Sequence, residues 1–181
     1  MGDPKLRKKT YKKPQHPWQK DRIEEERKLM QEYGLKNKKE IWKANSLLRK
    51  YTKQAKKLIG LTTPQAEAEK SQLLKKLLGL GLIKEGAKIE DVLAISLQNI
   101  LDRRLQTIVY KNKLARSVRQ ARRFITHGHI SVDNRKVTVP SFLVPIELEN
   151  KISFTRGSPL FDENHPERAV IVGSTTKANK K

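Results

Sequence analysis

The chain contains no cysteine. Disulfides, thiolate nucleophiles, iron–sulfur ligation and cysteine zinc sites are therefore excluded. Acids are scarce: 19 Asp and Glu stand against 40 Lys and Arg in 181 residues, a formal net charge of +21. Such an excess repels itself, and a polyanion is the natural partner to neutralise it. Apolar residues make up 36% of the chain, below the ~45–50% usual for globular proteins, so any core is modest and much of the chain is solvated or held by a partner. No run of 18 apolar residues exists, which excludes a spanning helix. The N-terminal stretch lacks the apolar centre of a secretory signal, and its lysines and prolines do not fit an Arg/Ser-rich transit peptide. The length allows one or two small domains.

The charge is unevenly spread. Residues 1–60 carry 19 basic against 7 acidic residues and residues 103–136 carry 10 against 1, whereas 61–102 and 137–181 are close to neutral. Residues 1–18 read as an extended basic arm. Pro4, Pro14 and Pro17 block helix, and Lys8, Lys9, Lys12 and Lys13 repel one another, so the segment cannot build a core alone. It reads either as a solvated tail or, more sharply, as an arm that orders on phosphates, with Tyr11 and Trp18 stacking on bases or sugars. Residues 19–33 read as a charged helix stopped by Gly34. Residues 39–59 read as an amphipathic helix: Ile41, Trp42, Leu48, Tyr51, Ala55, Leu58 and Ile59 form one stripe, and Lys43, Arg49, Lys50, Lys53, Lys56 and Lys57 fill the other face. A membrane surface would suit such a helix, but the apolar stripe resembles core and the charge bias returns later, so nucleic acid is preferred. Thr63-Pro64 opens a third helix by cap and first-turn proline. The Gly79–Gly86 connection lacks the Gly-Lys-Ser/Thr of a phosphate loop.

From residue 97 the pattern predicts two helices and a small antiparallel sheet. Ser96 caps a helix over 97–109, with Leu97, Ile100, Leu101, Leu105 and Ile108 in one sector and Asn99, Arg103 and Gln106 opposite. Lys111-Asn-Lys113 makes a polar link. Ser117 with Gln120 forms a capping box for a helix over 118–127. On that helix Val118, Ala121 and Ile125 face one way, while Arg116, Arg119, Arg123 and His127 face the other. No acid occurs from Arg103 to Val132, so these guanidiniums have no local partner. Arginine also suits bidentate phosphate contact. Gly128 ends the helix. His129–Val132 and Arg135–Val139 alternate as strands around an Asp133-Asn134 turn that tolerates positive φ. Lys151–Phe154 is a further strand.

The run Arg116-Ser-Val-Arg-Gln-Ala-Arg-Arg-Phe-Ile-Thr-His-Gly-His-Ile-Ser-Val-Asp-Asn-Arg-Lys-Val137 resembles the S-four RNA-binding domain, with Asp-Asn where Asn-Gly is commoner. Lys9-Thr-Tyr11, the proline-rich 14–18 stretch, Glu32-Tyr-Gly-Leu-Lys-Asn-Lys-Lys-Glu-Ile-Trp42 and Arg103-Arg-Leu-Gln-Thr107 extend the likeness. The whole is similar to the archaeal and eukaryotic form of the small-subunit ribosomal protein four family. The resemblance implies an α+β fold: an N-terminal helical domain with an extended basic arm, plus an inserted two-helix and small-sheet RNA-binding module. The expected divisions are 1–18 arm, 19–96 helical domain with part of the C-terminal tail, 97–155 module, and 156–181 C-terminal segment. It implies a cytoplasmic constituent of the ribosome that binds small-subunit rRNA at a multi-helix junction early in assembly. It also implies contact with neighbouring ribosomal protein five, a place near the mRNA entry channel, and influence on decoding accuracy. The expected RNA-binding residues are Lys8, Lys9, Lys12, Lys13, Lys50, Lys53, Lys57, Arg103, Arg104, Lys111, Lys113, Arg116, Arg119, Gln120, Arg122, Arg123, His127, His129, Asn134, Arg135 and Lys136.

Enzymatic readings fare poorly. His127 and His129 sit on helix and turn with no acid nearby, against a shared metal. Ser117 reads as a cap, not a nucleophile. Asp162, Glu163, His165 and Glu167 read as a solvated loop, because paired carboxylates without a pocket make no acid–base site. No enzyme activity, metal, cofactor or membrane partner is expected. An RNA-modifying enzyme would need a further catalytic domain. A sequence-nonspecific nucleic-acid binder is the other rival, and it should bind duplex DNA as well as rRNA. The apolar Ala169–Val172 stretch is expected to pack on the module or a neighbouring protein.

Overall fold

The computed structural model describes residues 9–163 and 165–168. Lys8 and the Ala169–Val172 stretch lie outside the described residues. The order is α1 (Lys20–Glu32), α2 (Lys38–Ile59), α3 (Pro64–Gly79), a 3₁₀ turn (Ile89–Ala94), α4 (Leu97–Asp102), α5 (Leu105–Lys111), α6 (Val118–Thr126), β1 (Ile130–Val132), β2 (Arg135–Lys136), α7 (Ile146–Glu149) and β3 (Ile152–Phe154). Mixed helices with a small antiparallel sheet match the expected α+β class. No helix among the described residues is long and apolar enough to cross a membrane.

Two apolar clusters organise the chain. In the first, Ile41, Ala44, Tyr51, Ala55 and Leu58 bring the inner face of α2 against Leu73 and Leu77 of α3, Val92 of the 3₁₀ turn, and Ile100 and Leu101 of α4. Thr63 caps α3 by accepting from the Ala66 N–H at 3.3 Å, with Pro64 at the first helical position. In the second, Leu105, Ile108 and Val109 of α5 pack with Ala121, Phe124 and Ile125 of α6, Ile130 and Val132 of β1, and Ile152 and Phe154 of β3. α4, which the helical period groups with the module, thus belongs to the helical core.

The sheet runs β2-β1-β3, both pairs antiparallel. Val132 faces Arg135 across a two-residue turn in which Asp133 and Asn134 have φ of 50° and 61°. Two consecutive left-handed residues make the primed turn whose twist suits a tight hairpin. Gly128, at φ 74°, turns the chain from α6 into β1. A β-carbon there would meet the tip of the Lys136 side chain, which can swing aside, so it is the positive φ that calls for glycine.

Three expectations need correction. The helix predicted over 97–109 is broken, because Arg104 is extended (φ −73°, ψ 141°) and bridges Leu143. The break is stable because the 140–144 loop serves the exposed backbone groups: Leu105 N–H donates to Phe142 O at 2.7 Å and Val144 N–H to Arg103 O at 3.0 Å. The second strand is only two residues long, and the chain leaves the sheet before Pro140. The capping box is offset: Ser117 Oγ accepts from Gln120 N–H, but the Gln120 side chain accepts from Arg116 N–H rather than from Ser117.

Candidate nucleic-acid interface

Helix α6 buries Ala121, Phe124 and Ile125. The opposite face leaves Arg119 and Arg123 exposed, with Arg116 before the helix and His127 after it. Asn134, Arg135 and Lys136 extend this exposed surface onto the hairpin. None of these cations meets a carboxylate among the described residues. Lys113 is exposed on the turn between α5 and α6 at φ 56°. His129 is half-buried; its Nδ1 lies 2.8 Å from Ser158 Oγ and its ring packs edge-on to Phe124. Burial first, then the charges of His127 and Lys136, hold its imidazole below the ordinary value.

A second basic surface lies on the arm and α2. Lys43, Arg49, Lys50, Lys53, Lys56 and Lys57 are all exposed on the outer face of α2. Lys43, Arg49 and Lys56 belong with the expected Lys50, Lys53 and Lys57, and the same helical stripe identifies them. The arm follows the helix. Tyr11 stacks on Trp42 with centroids 6.1 Å apart, Lys9 Nζ stands 4.9 Å over the Tyr11 ring, and Lys12 N–H donates to Ser46 Oγ at 3.1 Å. Tyr11 is thus engaged within the protein, while Lys9, Lys12 and Lys13 remain exposed.

Several expected contact residues are committed internally. Arg104 is 5% exposed and pairs with Glu40. Arg122 donates Nη2 to Glu40 Oε1 at 2.8 Å and Nη1 to Gln106 Oε1 at 3.3 Å. Arg103 pairs with Glu149 at 2.8 Å and donates to Val144 O at 2.8 Å. These three arginines hold the fold together, because α2 and α7 bring carboxylates that no local window contains. Lys111 pairs with Asp102 at 3.2 Å, and Gln120 Nε2 donates to Glu167 at 2.8 Å.

The helical period places Gln106 opposite the apolar sector, but it is fully buried. Its amide donates to Tyr33 O, Gly34 O and Val118 O at 3.3, 3.1 and 3.0 Å, joining the α1–α2 loop to the start of α6. Burial alone would raise the Glu40 carboxyl. The Arg122 hydrogen bond and the charges of Arg104 and Arg122 outweigh that and hold it below the ordinary carboxylate range. Glu40 and Gln106 thus clasp the helical core to the module. One sequence signal points to Glu40: it is the sole acid between Glu32 and Glu67, inside a run of lysines.

The architecture, a basic helical domain clasped to a two-helix and hairpin module with an arginine row, defines an RNA-binding protein of the S4-domain class. Residues 103–149 match the family described as S4 domain, and residues 5–102 match Ribosomal protein S4/S9 N-terminal domain. The chain is 45% identical to small ribosomal subunit protein uS4 of Picrophilus torridus, over 99% of this chain and 100% of that protein. It is 50% identical to uS4 of Methanococcus aeolicus over 95% and 98%, and 48% identical to uS4 of Thermoplasma acidophilum over 98% and 91%. The chain belongs to the small ribosomal subunit protein uS4 family. It is a structural ribosomal component, not an enzyme.

Proposed function

We propose that this chain binds small-subunit rRNA at a junction of several RNA helices, aids assembly there, and through that position influences translational accuracy. The observation that carries the reading is the pair of exposed basic surfaces on elements that the Glu40 clasp joins. One is the Arg116–Arg119–Arg123–His127 row with the Asn134–Lys136 turn. The other is the arm with the outer face of α2. Two cationic surfaces on joined elements suit a partner that presents phosphates from more than one direction. A-form major grooves exclude side chains, so shape and backbone are read more than base edges. The contact set is then the expected one without Arg103, Arg104, Lys111, Gln120 and Arg122, whose side chains are engaged within the protein. Family resemblance further supports contact with neighbouring ribosomal protein five and a place near the mRNA entry channel.

Chemical footprinting of the full chain on small-subunit rRNA tests this. The expected result is protection clustered where several RNA helices meet, surviving a mass excess of duplex DNA. Diffuse protection, or its loss to duplex DNA, overturns the junction reading and favours a sequence-nonspecific binder.

A further inference from the structure

The two tryptophans of the chain have opposite environments. Trp42 is half-buried, stacked on Tyr11, and donates Nε1 to Glu26 at 3.0 Å. Trp18 is 89% exposed. Its exposure is built into the loop that carries it. Arg22 Nη2 donates to His16 O at 2.8 Å and to Pro17 O at 3.0 Å, while Nη1 donates to Glu26 Oε1 at 2.8 Å. The Glu26 side chain is 7% exposed and also pairs with Lys38 at 3.2 Å. A largely buried ion pair thus fixes the two carbonyls preceding Trp18, and Gln19 O immediately after it accepts the first helical bond from Ile23 N–H. The indole stands between two fixed points, beside a shallow hollow of about 430 Å³ lined by His16, Pro17, Trp18 and Gln19.

The surroundings indicate the occupant. From residue 9 to residue 20 there are four lysines and no acid, and the next carboxylate is Asp21. An apolar ring set in a cationic segment suits a ligand that offers a flat π-face on an anionic backbone. Every unpaired nucleotide has both, and stacking on an aromatic face is tolerant of base identity. We propose that Trp18 is a stacking platform for an unpaired nucleobase of the bound RNA, held ready by the Arg22–Glu26 pair. This deepens the RNA-binding reading and rests on it. It also separates the two arm aromatics: Tyr11 serves the fold and Trp18 serves the ligand.

The test uses the full chain and small-subunit rRNA transcribed from Methanococcus aeolicus sequence. Trp18→Ala and Trp18→Phe are first melted, and both should match wild type because the side chain contacts solvent. On titration with the rRNA, indole emission of wild type should be quenched. Trp18→Phe, with only Trp42 left, should show little quenching while keeping most of the affinity. Trp18→Ala should bind on the order of 5- to 100-fold more weakly, with the salt dependence unchanged because no phosphate contact is lost. Tight binding by wild type without Trp18-dependent quenching overturns the platform alone, as does unchanged affinity of Trp18→Ala. Equal loss in Trp18→Phe and Trp18→Ala overturns stacking in favour of an indole N–H contact. Failure of wild type to bind the rRNA overturns the RNA reading itself.

Discussion

Glu40 is a lone carboxylate shared by two guanidiniums, of which Arg104 is buried and Arg122 half-buried. Removing a shared counter-charge leaves those cations uncompensated, which costs more than the pair contributes as a unit, on the order of 3–5 kcal/mol for a buried pair. Glu40→Gln should therefore lower the thermal midpoint by roughly 6–20 °C at neutral pH, taking about 2–4 °C per kcal/mol for a chain of this size. Its pH dependence has a definite sign. The folded carboxyl titrates below its ordinary value of 4.5, so its stabilisation is present above that pH and is lost as pH falls through the folded value. Glu26 acts with the same sign: burial raises its carboxyl, and hydrogen bonds from Trp42, Lys38 and Arg22 outweigh that. Wild type should destabilise below about pH 4.5, and Glu40→Gln should show a shallower decline. Urea melts across pH 3–7 read both effects, and a variant with wild-type stability at neutral pH would remove Glu40 from the clasp.

At the scale of elements, legibility followed the range of the interactions. α3, the α6 cap and the Asp133-Asn134 turn depend on neighbours within four residues, so their residues announce them. The α4–α5 break depends on Phe142 and Val144, some 40 residues away, and the apolar period runs across it unmarked. Arg122 reads in the sequence as an unpaired cation for the same reason, since its carboxylate partner lies 82 residues away. Gln106 failed because one buried amide with four partners looks, in a helical wheel, like any polar residue. Arg119 and Arg123 on the outer face of α6 have no such distant partner among the described residues, and their reading stands as an RNA surface to be tested. Arg119→Ala with Arg123→Ala should weaken rRNA binding on the order of 10²- to 10⁴-fold, about one charge-assisted contact each. The melt of the free protein should be nearly unchanged, since neither side chain meets a carboxylate among the described residues. Arg122→Ala is the contrast and should lower the melt markedly. If the double variant melts like Arg122→Ala, the row is structural and not a contact surface.

The whole molecule poses a question of number: how many of its cations meet phosphate at once. The net charge of +21 overstates it. Arg103, Arg104, Arg122 and Lys111 are paired internally, and the 61–102 scaffold is close to neutral. Among the described residues, exposed cations gather on two surfaces, the α6–hairpin row and the arm with α2, and the clasp joins the elements that carry them without adding to the count. Counterion release converts the count into an observable, since each neutralised phosphate adds just under one to the slope of log affinity against log salt. Engagement of both surfaces requires at least about six contacts, which predicts a fall on the order of 10³-fold between about 50 and 200 mM salt. Engagement of one surface alone would roughly halve that logarithm. The double arginine variant should reduce the slope by about two, and Lys50→Ala with Lys53→Ala on α2 should reduce it by a similar amount. Filter binding of the full chain to small-subunit rRNA across that salt range decides the matter. A slope sensitive to α6 but not to α2 would leave the module as the sole RNA-facing surface, and a flat response would remove the electrostatic basis for both.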